Sequence, residues 1–182
     1  MKATDIIEAL RAGLSAPGGR HLYGVLGSYQ QLESFAELLQ QAKTPSGSPF
    51  PAPVNVNRGI LDAIPDEEFR RLVEDEAKRP EPTAAHVAKA FETFLRSSLT
   101  TLRSPLPAPR LLVLSGLEMI FAYNVELSVL RTMATDEDRV LLLLPGCREG
   151  GRVRMFPDWP DASFALPTNL IADNHLWELT GS

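Results

Sequence analysis

The residues whose spacing most resembles a chemical device run from Leu22 to Gln31 (Leu-Tyr-Gly-Val-Leu-Gly-Ser-Tyr-Gln-Gln), directly before the helical run Leu32 to Leu39. A strand, a glycine turn and a helix in that order are used to cradle phosphates. The pattern is G-x-x-x-x-G-K-[ST], in which glycines free the backbone, lysine reaches the phosphates and a hydroxyl holds magnesium. Gly24 fits the first glycine, and Gly27-Ser28 fit the filler before the end of the loop. The second glycine, the lysine and the hydroxyl positions hold Tyr29, Gln30 and Gln31. Tyr29 brings a Cβ to a place where phosphate needs close backbone approach. The neutral Gln30 amide can hydrogen-bond a phosphate but lacks the Coulomb attraction of a lysine. Ser28 and Gln31 also match a capping box, in which each satisfies a free backbone amide of the other. The stretch therefore reads as a phosphate frame with its ligands replaced.

A nucleotide site also needs an acid at the end of an apolar strand to hold magnesium. Leu111-Leu112-Val113-Leu114 has the composition of such a strand, but Ser115 stands at the acidic position. The next acid is Glu118, where a carboxylate at a helix start is favourable without any metal. Arg148, Arg152 and Arg154 bracket Gly150-Gly151. They form a candidate anion or partner patch, although a solvated hairpin is the ordinary reading of such a cluster. Cys147 has no histidine paired with it in the sequence and reads as a structural or exposed thiol. Trp159 and Trp177 read as core or interface anchors.

These residues need an α/β frame to position them. The chain has 182 residues, enough for one domain, residues 1–182, that buries roughly 70% of its unfolded surface. Net charge is -5, which argues against wrapping nucleic acid over the whole surface. One cysteine and three scattered histidines (His21, His86, His175) supply neither a disulfide framework nor metal-ligand spacing, so no metal or cofactor is expected. The start of the chain lacks the apolar core of a signal peptide and no stretch approaches a membrane span, so the protein reads as cytoplasmic.

Hydrophobic periodicity predicts a helix over residues 4–15 capped by Thr4 or Asp5, a strand from His21 to Leu26, and a helix placing Leu32, Phe35, Ala36 and Leu39 on one face. Thr44 to Pro53 is a proline-rich loop, and Val54-Asn55-Val56-Asn57 a candidate second strand. Asp66 to Lys78 reads as a charged peripheral helix. Thr83 to Leu102 reads as a stronger helix striped by Val87, Phe91, Phe94, Leu95, Ser98 and Leu102. A proline cluster, Pro105 to Pro109, leads into the apolar strand ending at Ser115. One helix is expected from Glu118 to Met133, and a second apolar strand from Val140 to Leu144, stopped by Pro145-Gly146. An edge strand over Arg152 to Phe156 and a last strand from His175 to Leu179 complete the series. Apolar strands alternating with helices indicate an α/β fold with a mainly parallel sheet covered by helices.

With these elements in place, the chain resembles BrxF, the small P-loop protein family of BREX phage-defence systems, from about Tyr23 to Met155. The resemblance lies in the order of the glycine turn, Val54-Asn55-Val56-Asn57, Leu117-Glu118-Met119-Ile120-Phe121, Pro145-Gly146 and Gly151-Arg152-Val153. It implies a three-layer P-loop-NTPase-like fold and the setting of a multi-protein defence complex. Tyr29, Gln30, Gln31 and Ser115 depart from it where ATP chemistry would reside. The favoured expectation is a non-catalytic scaffold or regulatory subunit whose partners are other subunits of the complex or further copies of itself. Two alternatives stand beside it: an ATP-binding or ATPase subunit that completes its site with a partner chain, and a DNA-binding accessory protein that uses the Arg148 to Arg154 hairpin. The Thr44 to Pro53 loop and the tail from Pro157 are the candidate contact segments.

Overall fold

A computed structural model describes residues 1–76, 78, 80–103, 110–159 and 164–180. The elements in chain order are α1 (Ala3–Ser15), β1 (Leu22–Gly27), α2 (Tyr29–Gln41), β2 (Val54–Asn55), α3 (Val56–Ala63), α4 (Asp66–Glu76) and α5 (Pro80–Arg103). They continue with β3 (Arg110–Ser115), α6 (Glu118–Ala122), α7 (Ser128–Met133), β4 (Asp138–Glu149), β5 (Arg152–Met155) and β6 (Phe164–Ala165). A 3-10 turn (Asp173–His175) then leads into β7 (Leu176–Glu178). The main sheet has the order β2-β3-β4-β1-β7, and every pairing along that path is parallel. Helices pack on both of its faces, as expected of a three-layer P-loop-like α/β fold.

Successive strand residues point to opposite faces, and the strands are apolar on both. Tyr23, Val25, Leu111, Val113, Leu141, Leu143 and Trp177 join Ile6, Leu10, Phe35 and Leu39 of α1 and α2 in one core layer. Leu22, Leu26, Leu112, Leu114, Leu142 and Leu144 join Ile60, Phe91, Leu95, Ile120 and Leu130 of the other helices in a second. Trp177 stacks on Tyr23 with centroids 5.8 Å apart, which makes it a core anchor. Trp159, 38% exposed, instead leans on Phe156 and Phe164 at the surface.

The structure corrects several expectations. Lys2, without a side-chain bond, occupies the N-cap of α1, so neither Thr4 nor Asp5 caps it. The strand expected over Val54 to Asn57 is only two residues long, because the Asn55 side chain accepts from the Arg58 amide at 3.0 Å and starts α3. The helix expected from Glu118 to Met133 is two helices, broken where Asn124 takes a φ of 50°. Pro145-Gly146 does not stop β4. Pro145 lies opposite Gly27, the last residue of β1, so its missing amide costs no ladder bond there, and its carbonyl accepts from the Phe156 amide at 2.7 Å. The strand runs on to Glu149 and forms an antiparallel hairpin with β5.

Further along, α5 begins at Pro80 instead of Thr83, in keeping with proline at a first helical position. Its stripe buries Leu99, not Ser98. The last strand is shorter than expected, since His175 belongs to the 3-10 turn before it. On α4 Leu72 is buried while Phe69 and Val73 are exposed, as befits a peripheral helix. The proline cluster from Pro105 to Pro109 lies outside the described residues. Among the described residues no helix is long and apolar enough to cross a membrane.

At the amino edge of the sheet, Arg139 is buried and its guanidinium donates to the carbonyls of Gly13 (3.2 Å), Leu14 and Ala16 (3.4 Å). These carbonyls lie at the carboxyl end of α1, which carries no basic residue in its last turn, so Arg139 supplies the cation that end favours. His21 lies beside it, with Nδ1 2.8 Å from the Tyr23 hydroxyl and Nε2 3.5 Å from Asp136. Burial first, and then Arg139, lower the His21 pKa from 6.5, while Asp136 opposes the shift. Burial also lowers that of His175, against an opposing backbone bond to Leu22. A lowered folded-state pKa means that the unfolded chain binds the proton more tightly, so full stability is present above the ordinary value and is lost as pH falls from it towards the folded value. Urea unfolding is expected to show stability falling from about pH 6.5 downward. His21→Gln is expected to flatten part of that limb, and a double variant with His175→Gln to flatten more of it.

Candidate functional site

A parallel sheet gathers its strand ends on one edge, and ligand sites of open α/β sheets lie outside the carboxyl ends. That edge carries Gly27 of β1, Asn55 of β2, Ser115 of β3 and Pro145 of β4. All the sequence candidates for a nucleotide site except Gly24 come to this edge or the turns leaving it, but they do not form a phosphate cradle. β1 runs without interruption from Leu22 to Gly27, in register with Val140 to Pro145. One residue, Ser28, separates it from α2. The span from Gly24 to Leu26, expected as strand, is strand, and β1 runs one residue further to Gly27, which the phosphate-loop pattern would place in the turn.

The two glycines have packing reasons to be there. A Cβ at Gly24 would stand 2.7 Å from Leu176 Cδ1 and 2.8 Å from Ile171 Cδ1, and one at Gly27 3.1 Å from Leu179 Cδ1. Neither has the positive φ that a glycine turn would use. At Ser28 the capping box is formed: the Gln31 amide donates to Ser28 Oγ at 3.2 Å, and the Ser28 amide donates to Gln31 Oε1 at 2.9 Å. The side chain at the magnesium-hydroxyl position thus holds the helix start. Gln30 instead faces a separate groove with Lys2, Ser34 and Thr180.

Across the edge, Tyr29 and Glu118 meet. The Tyr29 hydroxyl donates to Glu118 Oε1 at 2.9 Å, and Asn57 Nδ2 donates to Glu118 Oε2 at 2.7 Å. Asn57 is itself fixed, since its Oδ1 accepts from the Met119 amide at 3.0 Å and its amide donates to the Gly116 carbonyl at 2.9 Å. Gly116 takes a φ of +63°, and a Cβ there would lie 2.6 Å from Asn55 Oδ1, so the turn after β3 requires glycine. Burial of its hydroxyl end and then the Glu118 bond hold the Tyr29 phenol well above the usual range, with Asp158 adding to the effect. Tyr29 therefore remains a donor to a charged carboxylate at neutral pH.

A cleft of about 370 Å³ opens beside this network, lined by Leu32, Glu33 and Ala36 of α2, Pro53 and Asn55, Ser115 and Gly116, and Leu143 and Pro145 of β4. A magnesium nucleotide does not fit these residues. The lysine and hydroxyl are replaced, and Ser115 is no anionic ligand. Among the described residues no group of three metal-ligating side chains is found.

The arginines of the hairpin divide. Opposed residues of an antiparallel pair share a face, so Arg152 and Arg154, opposite Glu149 and Cys147, lie on one face and Arg148, opposite Val153, on the other. Arg148 donates to the Leu176 carbonyl at 3.0 Å, and Arg154 lies 3.5 Å from Glu149. Gly150 and Gly151 have φ of 55° and 79°, as a two-residue hairpin turn requires. The three do not form one anion patch. Cys147 lies within β4, half-buried.

Asn55 and Asn57 are the site residues that the sequence reading took for strand. The signal for Asn55 was the capping preference of asparagine one position before a helix, whereas Asn57, the second residue of α3, carried no local signal. Comparison with protein-family models, curated proteins and solved structures returns no match to the chain, so the chemistry of the site rests on its own residues. Ser28→Ala is expected to remove one half of the capping box and cost about 1 kcal/mol, read as a lower urea midpoint with an unchanged slope.

Proposed function

We propose that this chain is a non-catalytic, P-loop-like subunit that acts through protein contacts, as a scaffold or regulator. The observation that carries the reading is the short β1–α2 junction: strand ladder to Gly27, one cap residue, then helix. Gly24 to Gly27 lie in the sheet ladder, the Ser28 and Gln31 amides are held by the capping box, and no lysine follows them. The Tyr29–Glu118–Asn57 network supports the same reading, because the carboxylate nearest the strand end is held by neutral hydrogen-bond donors of the chain itself. The resemblance to BrxF adds the proposed setting, a BREX-type phage-defence complex, in which the chain would join other subunits or further copies of itself.

A catalytic alternative retains one observation. Glu118 is a carboxylate at the carboxyl edge of the sheet, where a water-activating group of an ATPase completed by a partner would be sought. DNA binding is less well supported, because the hairpin arginines point to two faces and two of them are engaged.

Isothermal titration of the full chain with magnesium and ATP is expected to give no heat of binding at millimolar nucleotide. A micromolar dissociation constant would overturn the proposal. A rate of hydrolysis that appears with a purified partner and falls with Glu118→Gln would establish the catalytic alternative.

A further inference from the structure

The cleft at the carboxyl edge has a definite electrostatic character. Among the described residues its lining contains two carboxylates, Glu33 and Glu118, and no lysine, arginine or histidine. The side chains that bond Glu118, Tyr29 and Asn57, are neutral donors and bring no cation to it. Asp158 is near enough to oppose ionisation of the Tyr29 phenol, though it is not among the lining residues. A phosphate entering here would meet like charges with no counter-ion, whereas a cation would be attracted.

The rest of the lining specifies what kind of cation. Leu32, Ala36, Pro53, Leu143 and Pro145 make apolar walls, which suit a methylene stem better than a hydrated inorganic ion. Tyr29 stands at the rim with 41% of its surface exposed, offering a ring face of the kind that attracts guanidinium. Asn55 and Ser115 supply polar atoms between wall and mouth. At about 370 Å³ the space is at the small end for ligand sites.

Resting on the non-catalytic reading of this edge, we propose that the cleft is a receptor for one arginine side chain presented by a partner protein. The stem lies against the apolar walls, the guanidinium meets Glu118 and Glu33, and its plane rests on Tyr29. Arginine fits better than lysine, because its planar fork can engage a carboxylate and an aromatic face together. The site that would hold an anionic nucleotide in a working enzyme then holds a cationic side chain, and so docks a subunit.

The test uses the full-length, isotope-labelled chain and N-acetyl-arginine amide as the probe, followed by amide chemical shifts. Saturable shifts at Glu33, Asn55, Gly116 and Glu118 are expected, with millimolar affinity that weakens as salt rises. The uncharged citrulline analogue should bind at least about fivefold more weakly, as should the probe to Glu118→Gln. Glu33→Gln, outside the Tyr29–Asn57 network, provides a second variant whose folding does not depend on that network. Equal binding of citrulline, shifts confined to another surface, or binding unaffected by both variants would overturn the proposal. Absence of arginine binding together with absence of ATP binding overturns this inference and leaves the non-catalytic reading standing. Arginine binding accompanied by micromolar ATP binding overturns the non-catalytic reading and leaves the arginine site.

Discussion

Six consecutive residues of β1, Leu22 to Gly27, lie in register with six of β4, Val140 to Pro145, and this ladder decides what the carboxyl edge can do. A strand paired with β4 from Leu22 to Gly27 and with β7 from Gly24 to Leu26 commits its backbone to the sheet and does not open into a loop around a ligand. The commitment follows from side chains. Tyr23 and Val25 are fully buried against one layer, Leu22 and Leu26 against the other, and Gly24 lets Leu176 and Ile171 close over the strand. Opening the stretch as a loop would withdraw these groups from both cores. Fully burying one large aliphatic side chain contributes about 1.5–3 kcal/mol, so several such losses would exceed what a phosphate contact returns.

The edge is then finished by short-range polar bonds. Ser28 and Gln31 satisfy each other, Asn55 starts α3, and Asn57 joins the turn at Gly116 to Glu118. Tyr29 crosses from α2 to reach the same carboxylate. Each of the strands β1, β2 and β3 thus hands over to a turn whose polar groups are engaged by neighbours. What remains unsatisfied at the edge is negative charge, carried by Glu118 and Glu33 beside apolar walls. Such a surface favours contact with a cationic group and disfavours a nucleotide.

Much of the fold could be read from the sequence because its signals are local. Leu32, Phe35 and Leu39 at helical spacing, and the apolar runs Leu111 to Leu114 and Val140 to Leu144, led to the observed α2, β3 and β4. The capping box was legible for the same reason, since Ser28 and Gln31 lie three residues apart. Where the reading missed, the deciding contact was distant or the local signal ambiguous. Pro145 can stay in β4 only because β1 ends opposite it. Gly24 falls within the expected strand, but the reason it is glycine, Leu176 closing over it from more than a hundred residues away, is not visible in any spacing. Tyr29 was expected to obstruct a phosphate, but its bond to Glu118 spans 89 residues and no spacing rule could reveal it. Glu118 reads as an acid at a helix start just past the strand end, and it is the first residue of α6, but its partners Tyr29 and Asn57 could not be read from spacing.

The account stands on the Tyr29–Glu118 contact holding the edge closed in solution, and a double-mutant cycle measures it directly. Stabilities of the wild type, Tyr29→Phe, Glu118→Gln and the double variant would be compared by urea unfolding at neutral pH. A hydrogen bond to a charged carboxylate at this half-exposed position predicts a favourable coupling of about 1 kcal/mol. That coupling should fade at pH low enough to protonate the carboxylate. A coupling indistinguishable from zero at neutral pH would mean that the two side chains act independently, and would contradict the closed edge on which the account depends.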